Sequence, residues 1–194
     1  IREMAFFAEP AEPVERTEVS PEPVRALITA NLIGAEAAEV VACVGSEVVA
    51  INGGGEVLWR APVGTGYGKC VAAYDLDGDG RIEVVVGGSD QKVHCFDADG
   101  NARWVTDCPA DPYYPEIEPA PGTVDVIAAG DINADGRGEV VFGASNWFAY
   151  ALDADGAVLW RSLNFAHPPL DLTLADVTGD GRLEALIATR YNTA

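Results

Sequence analysis

Residues 75–83 read Asp-Leu-Asp-Gly-Asp-Gly-Arg-Ile-Glu, and the same nine-residue pattern returns at 131–139 and 176–184. Each copy places an oxygen-bearing side chain at positions 1, 3, 5 and 9 and a glycine at position 6. A hard cation such as Ca²⁺ prefers about six to eight oxygen ligands, and a backbone carbonyl at position 7 supplies one more. The spacing therefore predicts three calcium-binding loops. The predicted ligands are Asp75, Asp77, Asp79, Arg81 and Glu83 in the first loop, Asp131, Asn133, Asp135, Arg137 and Glu139 in the second, and Asp176, Thr178, Asp180, Arg182 and Glu184 in the third.

Two other interpretations of this motif are weaker. An isolated Asp-Gly-Asp-Gly run is a common solvated turn, but three copies in register, each closed by a glutamate, favour a metal. An EF-hand loop would carry a glutamate at position 12 and continue into a helix. Here the loops run into the apolar segments 84–86, 140–142 and 185–187, which are typical of buried strands.

The three loops differ at position 3, where Asp77 is replaced by Asn133 and then by Thr178. A site with fewer charged ligands attracts a cation less strongly. From the carboxylate count alone, we expect the first loop to bind calcium most tightly.

The loop is part of a longer repeat. A tryptophan ends a predicted outer strand in each unit, at Trp59, Trp104 and Trp160, with spacings of 45 and 56 residues. The unit is therefore about 45 residues long, with an insertion in the second copy. Units of this length with four short strands are typical of β-propeller blades. A decayed copy at 31–39 has apolar residues at two ligand positions, and we expect no metal there.

We therefore predict an all-β fold, a β-propeller of four-stranded blades with three full blades and a partial fourth. The predicted strands of the second blade are 69–74, 83–88, 92–97 and 101–105. The Asp-Ala-Asp-Gly runs at 97–100 and 153–156 predict hairpin turns, and the tryptophans are expected to pack between blades. A propeller normally has about four to eight blades. We therefore expect a fragment of a larger ring, or a protomer that closes its ring with a partner or by self-association.

The chain resembles the FG-GAP repeat, also called the VCBS-type repeat, which occurs in integrin α-subunit propellers and in many secreted bacterial proteins. The resemblance rests on the acidic loop followed by Val-Val-Val-Gly-Gly at 84–88, and it covers about residues 24–194. The segment 151–160 is similar to the tryptophan-docking segment of quinoprotein-like propellers. The resemblance implies up to three calcium ions and an extracellular, cell-surface or periplasmic location. It does not choose between binding and catalysis, because propellers host both.

Residues 1–23 differ in composition from the repeats. Residues 1–7 are expected to form a short strand, and the Pro/Glu-rich run from 9 to 23 is expected to be an extended spacer. One option is that the leading strand pairs with an unfinished blade.

The chain has 31 acidic and 12 basic residues and a net charge of −19. Three calcium ions would offset only part of this charge. The remaining acidity argues against nucleic acid and anionic membranes as partners. No apolar run of about 18 residues is present, so we expect no membrane insertion. No signal peptide is recognisable, and the start at Ile1 fits a processed or trimmed chain.

Four cysteines are present, and none forms a Cys-x-x-Cys metal motif. Cys43 and Cys95 lie in strand patterns, which favour buried thiols. Cys70 and Cys108 are predicted to open on one face of the second blade, where a disulfide and two free thiols are both compatible with the sequence.

A recognition surface is expected on the face opposite the calcium loops, where the connections between blades lie. Candidate contact residues there are Tyr67, Tyr113, Tyr114 and His167. The insertion at 106–122 carries two of these tyrosines. It is either a binding loop for a sugar or a protein, or a proline-stiffened loop that packs on its own blade.

Two functional classes follow. The first is a noncatalytic extracellular calcium-binding propeller that recognises a protein or a glycan. The alternative is the propeller part of a secreted, lyase-like polysaccharide-degrading enzyme, which the resemblance also allows. No catalytic residue can be assigned, because His94 fits a structural strand position and no base or nucleophile pairs with His167 in the sequence. The first class is therefore favoured.

Replacing Tyr113 and Tyr114 by alanine is expected to weaken binding to a protein or glycan partner, because two rigid aromatic surfaces are lost. Calcium affinity and melting temperature are expected to stay nearly unchanged, whereas Asp75→Ala is expected to lower both and to spare partner binding. Glycan-array binding, calcium calorimetry and a melting curve check the two variants. A double tyrosine variant that binds normally but melts much earlier would assign the insertion to structural packing.

Overall fold

The computed structural model describes residues 4–8, 12–17, 20–34, 38–110, 120–164 and 168–189, with side chains described from residue 20 onward. Within these ranges the regular structure consists of β-strands. The strands are β1 (Met4–Ala8), β2 (Glu12–Thr17), β3 (Val24–Ala30), β4 (Glu39–Val44), β5 (Glu47–Ile51), β6 (Val57–Pro62), β7 (Gly68–Tyr74), β8 (Glu83–Gly88), β9 (Lys92–Phe96), β10 (Ala102–Asp107), β11 (Val124–Gly130), β12 (Glu139–Ala144), β13 (Phe148–Leu152), β14 (Val158–Leu163), β15 (Pro169–Ala175) and β16 (Glu184–Thr189). None of the described residues forms a helix with the length and apolar character that a membrane crossing requires.

The strands form a series of antiparallel sheets, each of which is a simple meander. Strands β3 to β6, β7 to β10 and β11 to β14 form three four-stranded sheets, and β15 pairs with β16 at the start of a fourth. The all-β propeller architecture, with three full blades and a partial fourth, is thus confirmed. The strands predicted for the second blade agree with β7 to β10 within two residues at each end.

The hydrophobic core lies between neighbouring sheets. The second strand of the blade is buried along its whole length in β8 and β12. Because both faces of such a strand pack against other layers, its sequence is continuously apolar instead of alternating. Val85 of β8 belongs to one cluster with Phe142 and Tyr150 of the next blade. The two aromatic rings stack with their centroids 4.9 Å apart.

A tryptophan of the outer strand connects each of the first two blades to the next. The indole Nε1 of Trp59 in β6 donates to the carbonyl of Ala98, and that of Trp104 in β10 donates to the carbonyl of Ala154, both over 2.9 Å. Each acceptor lies in the Asp-Ala-Asp-Gly hairpin of the following blade. A Cβ atom on Gly156 would lie 2.8 Å from the Trp104 ring, so only glycine lets the ring approach. The expected packing of these tryptophans between blades is confirmed.

The Asp-Ala-Asp-Gly runs form the predicted turns. Oδ1 of Asp97 accepts the backbone amides of Asp99 and Asn101 at 3.0 and 2.8 Å. Gly100 adopts a φ of +82°, which the turn requires and which an L side chain disfavours. The second run, at 153–156, repeats these bonds.

The leading strand does not pair with an unfinished blade, which was the option considered from the sequence. Strand β1 pairs with β2, which lies inside the predicted spacer, and the two form a separate sheet. Only residues 9–11 separate the two strands. Pairing them closes a short loop, which costs less chain entropy than pairing β1 with a distant blade.

The four cysteines are free. A disulfide between Cys70 and Cys108 does not form, because β7 and β10 lie at opposite edges of one sheet. Three strand spacings amount to about 14 Å, whereas bridged Cα atoms lie within about 7 Å of each other. Cys43 and Cys95 are buried, as expected. Burial raises the pKa of both thiols to about 12, so they stay protonated at neutral pH.

Replacing Trp104 by alanine is expected to lower the free energy of unfolding by about 3 kcal/mol or more, because the variant loses the packed ring and leaves the Ala154 carbonyl without its donor. Trp160 is the matched control, since it occupies the same position in the third blade but is 37% exposed. Trp160→Ala is expected to cost clearly less. Urea unfolding of the two variants checks the difference, and equal losses would contradict the docking role.

Candidate metal sites

The three acidic loops lie at one end of the sheets, between the first and second strands of successive blades. They occupy residues 75–82, 131–138 and 176–183. The first two loops are in contact, since the amide of Gly138 donates to the carbonyl of Leu76 over 2.9 Å. The first two loops therefore lie side by side.

The aspartate at position 1 holds each loop in shape. In the first loop, the two carboxylate oxygens of Asp75 accept three backbone amides at 2.8 to 3.1 Å. Asp131 and Asp176 accept amides of their own loops in the same way. These bonds lower the pKa of the Asp176 carboxyl. The amides compensate part of the loop's negative charge before any cation is bound.

The backbone geometry that the three loops share requires a residue with a left-handed conformation at position 6. Gly80, Gly136 and Gly181 have φ values of +86°, +89° and +85°. Glycine reaches this region without steric cost, which explains its presence at that position in all three copies.

The glutamate at position 9 closes the loop through a hydrogen bond that the sequence did not predict. Oε2 of Glu83 accepts the amide of Leu76, at position 2, over 2.9 Å. The second and third loops contain the same bond. It also persists in the decayed copy, where Glu39 is 2% exposed and accepts the amide of Leu32 over 2.8 Å. This glutamate therefore has a structural role that is independent of a metal.

In the first loop, three predicted ligands converge. Asp75, Asp77 and Glu83 each offer a carboxylate oxygen, and these oxygens lie within 4.8 Å of one another. Two oxygens that each lie about 2.4 Å from one calcium ion are at most about 4.8 Å apart, so the donor set fits calcium. Among the described residues, no other group of three acidic, histidine or cysteine side chains comes together in this way. Burial raises the pKa of Glu83, a cost that a cation would offset.

An arginine from the outer strand reaches two of these carboxylates. Nη2 of Arg103 donates to Oδ2 of Asp77 over 2.7 Å, and its Nη1 lies 2.8 Å from Oε1 of Glu83. The hydrogen bond from Arg103 lowers the pKa of Asp77, and the same bond raises the pKa of the guanidinium. A protein cation thus lies beside the candidate metal ligands of the first loop.

The second and third loops have neutral side chains at position 3, where the first loop has Asp77. Nδ2 of Asn133 donates to Asp135 and Glu139 at 3.0 and 2.9 Å. The hydroxyl of Thr178 lies 3.4 Å from Glu184. Because an amide can turn its oxygen towards a cation, both loops keep oxygen donors at the predicted positions.

The aspartate at position 5 accepts the amide of the arginine at position 7 in every loop, at 2.8 or 2.9 Å. The pairs are Asp79 with Arg81, Asp135 with Arg137 and Asp180 with Arg182. The side chains of Arg81 and Arg137 form ion pairs with the exposed hairpin residues Asp99 and Asp155. These two arginines therefore face the hairpin of their own blade.

On the opposite face, the structure describes one of the four candidate contact residues. Tyr67 is 36% exposed, and the guanidinium of Arg25 lies 3.9 Å above its ring. The Tyr67 amide donates to Oγ of Ser89 over 2.9 Å, so the glycine-rich connection packs on the adjacent turn. Tyr113, Tyr114 and His167 lie outside the described residues.

His94 is buried, in keeping with the structural role expected for it. Its Nε2 lies 3.0 Å from Oδ2 of Asp90, and both side chains are almost completely buried. In the third blade, Tyr150 and Asn146 form the corresponding hydrogen-bonded pair. In both blades, the side chain at this strand position therefore contacts a side chain of the turn that precedes the strand.

Arg103 was not predicted as a site residue from the sequence, although a comparison of the repeats distinguishes it from the residues at the same position in other blades. The residue before the docking tryptophan is Leu58 in the first blade and Leu159 in the third. In all three sheets this residue lies where the register of the outer strand shifts. Such a bulge re-aims a side chain. An aligned comparison of the blades would have identified the arginine as the exception.

Glu39→Ala is expected to lower the free energy of unfolding by about 1–3 kcal/mol, because the buried Leu32 amide loses its acceptor. The loss is expected to be the same with calcium and with chelator, since this copy lacks the other ligands. Glu47→Ala, at a half-exposed residue paired with Arg60, is the control and is expected to cost little. Chemical unfolding in both conditions checks the prediction, and a calcium-dependent loss would contradict it.

Comparisons with known proteins agree with the fold. No curated protein matches the chain. A crystal structure of BBS1N in complex with ARL6DN, soaked with lead, has a TM-score of 0.66 and 15% identity, covering 96% of this chain and 56% of that chain. The V. cholerae biofilm matrix protein Bap1 has a TM-score of 0.58 and 19% identity, covering 81% and 24%. The computationally designed Ika4 protein has a TM-score of 0.59 and 15% identity, covering 88% and 94%.

At these identities the structural similarity concerns the fold alone. The chain spans only about half of the BBS1N chain and a quarter of the Bap1 chain. A family model described as FG-GAP-like repeat matches residues 75–142, a range that contains the first two acidic loops. Over this range the chain is therefore similar to the FG-GAP-like repeat, and the chain as a whole has a propeller-like fold.

Proposed function

We propose that the chain is a noncatalytic, calcium-stabilised propeller module that recognises a protein or a glycan outside the cell or at its surface. The observation that carries the calcium part is the convergence of carboxylate oxygens from Asp75, Asp77 and Glu83. A bound calcium ion would supply the positive charge that this group lacks. Extracellular modules use calcium sites of about 10⁻⁴–10⁻³ M affinity, which suits a location where calcium is abundant.

The acidic loops and the inter-blade connections lie on opposite faces, which supports a structural role for the first face and a recognition role for the second. The acidic loops lie on one face, where the first two contact each other and where Arg81 and Arg137 pair with hairpin residues of their own blades. The inter-blade connections lie on the other face, where Tyr67 is exposed. The 106–122 insertion is anchored there at its start, since Nδ2 of Asn146 donates to the carbonyl of Pro109 over 3.1 Å. A long loop held on a rigid sheet is a common form of recognition site.

The structural neighbours give this proposal a modest additional basis. One of them, BBS1N, was crystallised in complex with a second protein, and another, Bap1, is a biofilm matrix protein. In the chain described here, partner recognition is tested by binding to glycan arrays and protein candidates. Formation of unsaturated products from acidic polysaccharides would overturn the noncatalytic assignment.

Calcium is expected to raise the melting temperature, and chelator to lower it. A ligand that binds only the folded state stabilises it by about 2.7 kcal/mol per site at a hundredfold excess over Kd. Asp135→Asn is expected to reduce this response, because it removes a charged ligand of the second loop. Asp99→Asn is the charge-matched control, since Asp99 lies in the hairpin and pairs with Arg81. Scanning calorimetry with calcium and with chelator checks the prediction, and a melting curve indifferent to both would refute calcium stabilisation.

A further inference from the structure

The first acidic loop differs from the second in having a protein cation at its carboxylates. The guanidinium of Arg103 contacts Oδ2 of Asp77 and Oε1 of Glu83 at 2.7 and 2.8 Å. Both oxygens belong to residues of the three-carboxylate group. Because Glu83 uses Oε2 for the Leu76 amide, Oε1 is the oxygen it has left for a metal. Arg103 therefore occupies the oxygens that a calcium ion would need.

The position of Arg103 results from the fold of the blade. In the outer strand, the register with β9 shifts between Ala102 and Trp104, so that Arg103 lies at a bulge. Trp104 next to it is fixed to the following blade by its indole hydrogen bond. The guanidinium side chain is 29% exposed, whereas the Glu83 side chain is 2% exposed. A partly buried ion pair of this kind is screened less by solvent than a surface pair.

The first and third blades, whose outer strands the structure also describes, have a leucine at this position. Leu58 and Leu159 occupy the corresponding bulges and are 39% and 50% exposed. The second loop instead directs the neutral amide of Asn133 at Glu139. Among these three blades, the arginine occurs where the loop has an acid at every side-chain ligand position.

We propose that Arg103 is an internal counter-ion of the first loop, which holds that loop without calcium and which calcium must displace in order to bind. This inference rests on the proposed calcium function and refines it. The order of affinities expected from the carboxylate count is then reversed, because the first loop pays for displacing Arg103 and the second does not. The residue acts by controlling access to the ligands and is not itself a ligand.

The test isolates one loop at a time in the full chain. Asp135→Asn and Asp180→Asn weaken the second and third loops while keeping an oxygen that accepts the position-7 amide. In this background, Arg103→Leu restores the residue type of the other two blades. Calorimetry is expected to show that the first loop binds calcium about tenfold or more tightly after this change, the scale of coupling between close charge pairs. In chelator, Arg103→Leu is expected to lower the melting temperature, and calcium is expected to restore it.

The reciprocal variant keeps the test decisive if Arg103→Leu does not fold in chelator. Leu159→Arg introduces the cation beside the second loop, with Asp79→Asn and Asp180→Asn weakening the others. Calcium affinity of the second loop is then expected to fall about tenfold. Unchanged affinity in the Arg103→Leu chain, or in the Leu159→Arg chain where the first does not fold, overturns the counter-ion role. If no loop of the unaltered chain or of either variant binds calcium, the proposed calcium function itself fails, which is a distinct result.

Discussion

The hydrogen bond from the position-2 amide to the position-9 glutamate is the constraint on which each blade depends. It joins the end of the first strand to the start of the second across the loop. The bond occurs in all four copies, from Glu39 to Glu184. Its survival in the copy that has lost other ligands separates two roles that the sequence motif combines. The glutamate is first a structural element of the loop and second a candidate ligand.

The second requirement is compensation of negative charge. A chain with a net charge of −19 concentrates carboxylates in loops where they face one another. The backbone amides around Asp75 compensate part of this charge, and so does Arg103 at the first loop. A carboxylate that is buried without enough compensation takes up protons more readily, which is why burial raises the pKa of Glu83 and Glu139. The first two loops therefore differ in their counter-charges, although both have the same glycine geometry at position 6.

Most of the fold could be predicted because its determinants are local and repeated. Asp-Gly turns, valine-rich strands and evenly spaced tryptophans each specify structure within a few residues. Arg103 could not be predicted in the same way, because it lies 20 residues beyond Glu83 and reaches it only through the pairing of four strands and a bulge. The absence of a Cys70–Cys108 bridge also depends on strand order, since residues on one face of a blade can still lie at opposite edges of its sheet. Three of the predicted ligands, Asp75, Asp77 and Glu83, converge in the first loop, whereas the arginine that contacts two of them could not be inferred from the spacing of the loop.

The tryptophan contacts also give the propeller a direction. The indoles of Trp59 and Trp104 both donate from the outer strand of their own blade to the hairpin of the next blade along the chain. Neither of these bonds runs to the preceding blade. Stability in such an array is a sum of blade terms and nearest-neighbour terms. Unfolding of one blade therefore uncovers two different surfaces, an aromatic ring on the preceding blade and a glycine-bearing turn on the following one. Only an element with the matching half can cover each of them, so the linkage favours blades that are added in one order and one orientation.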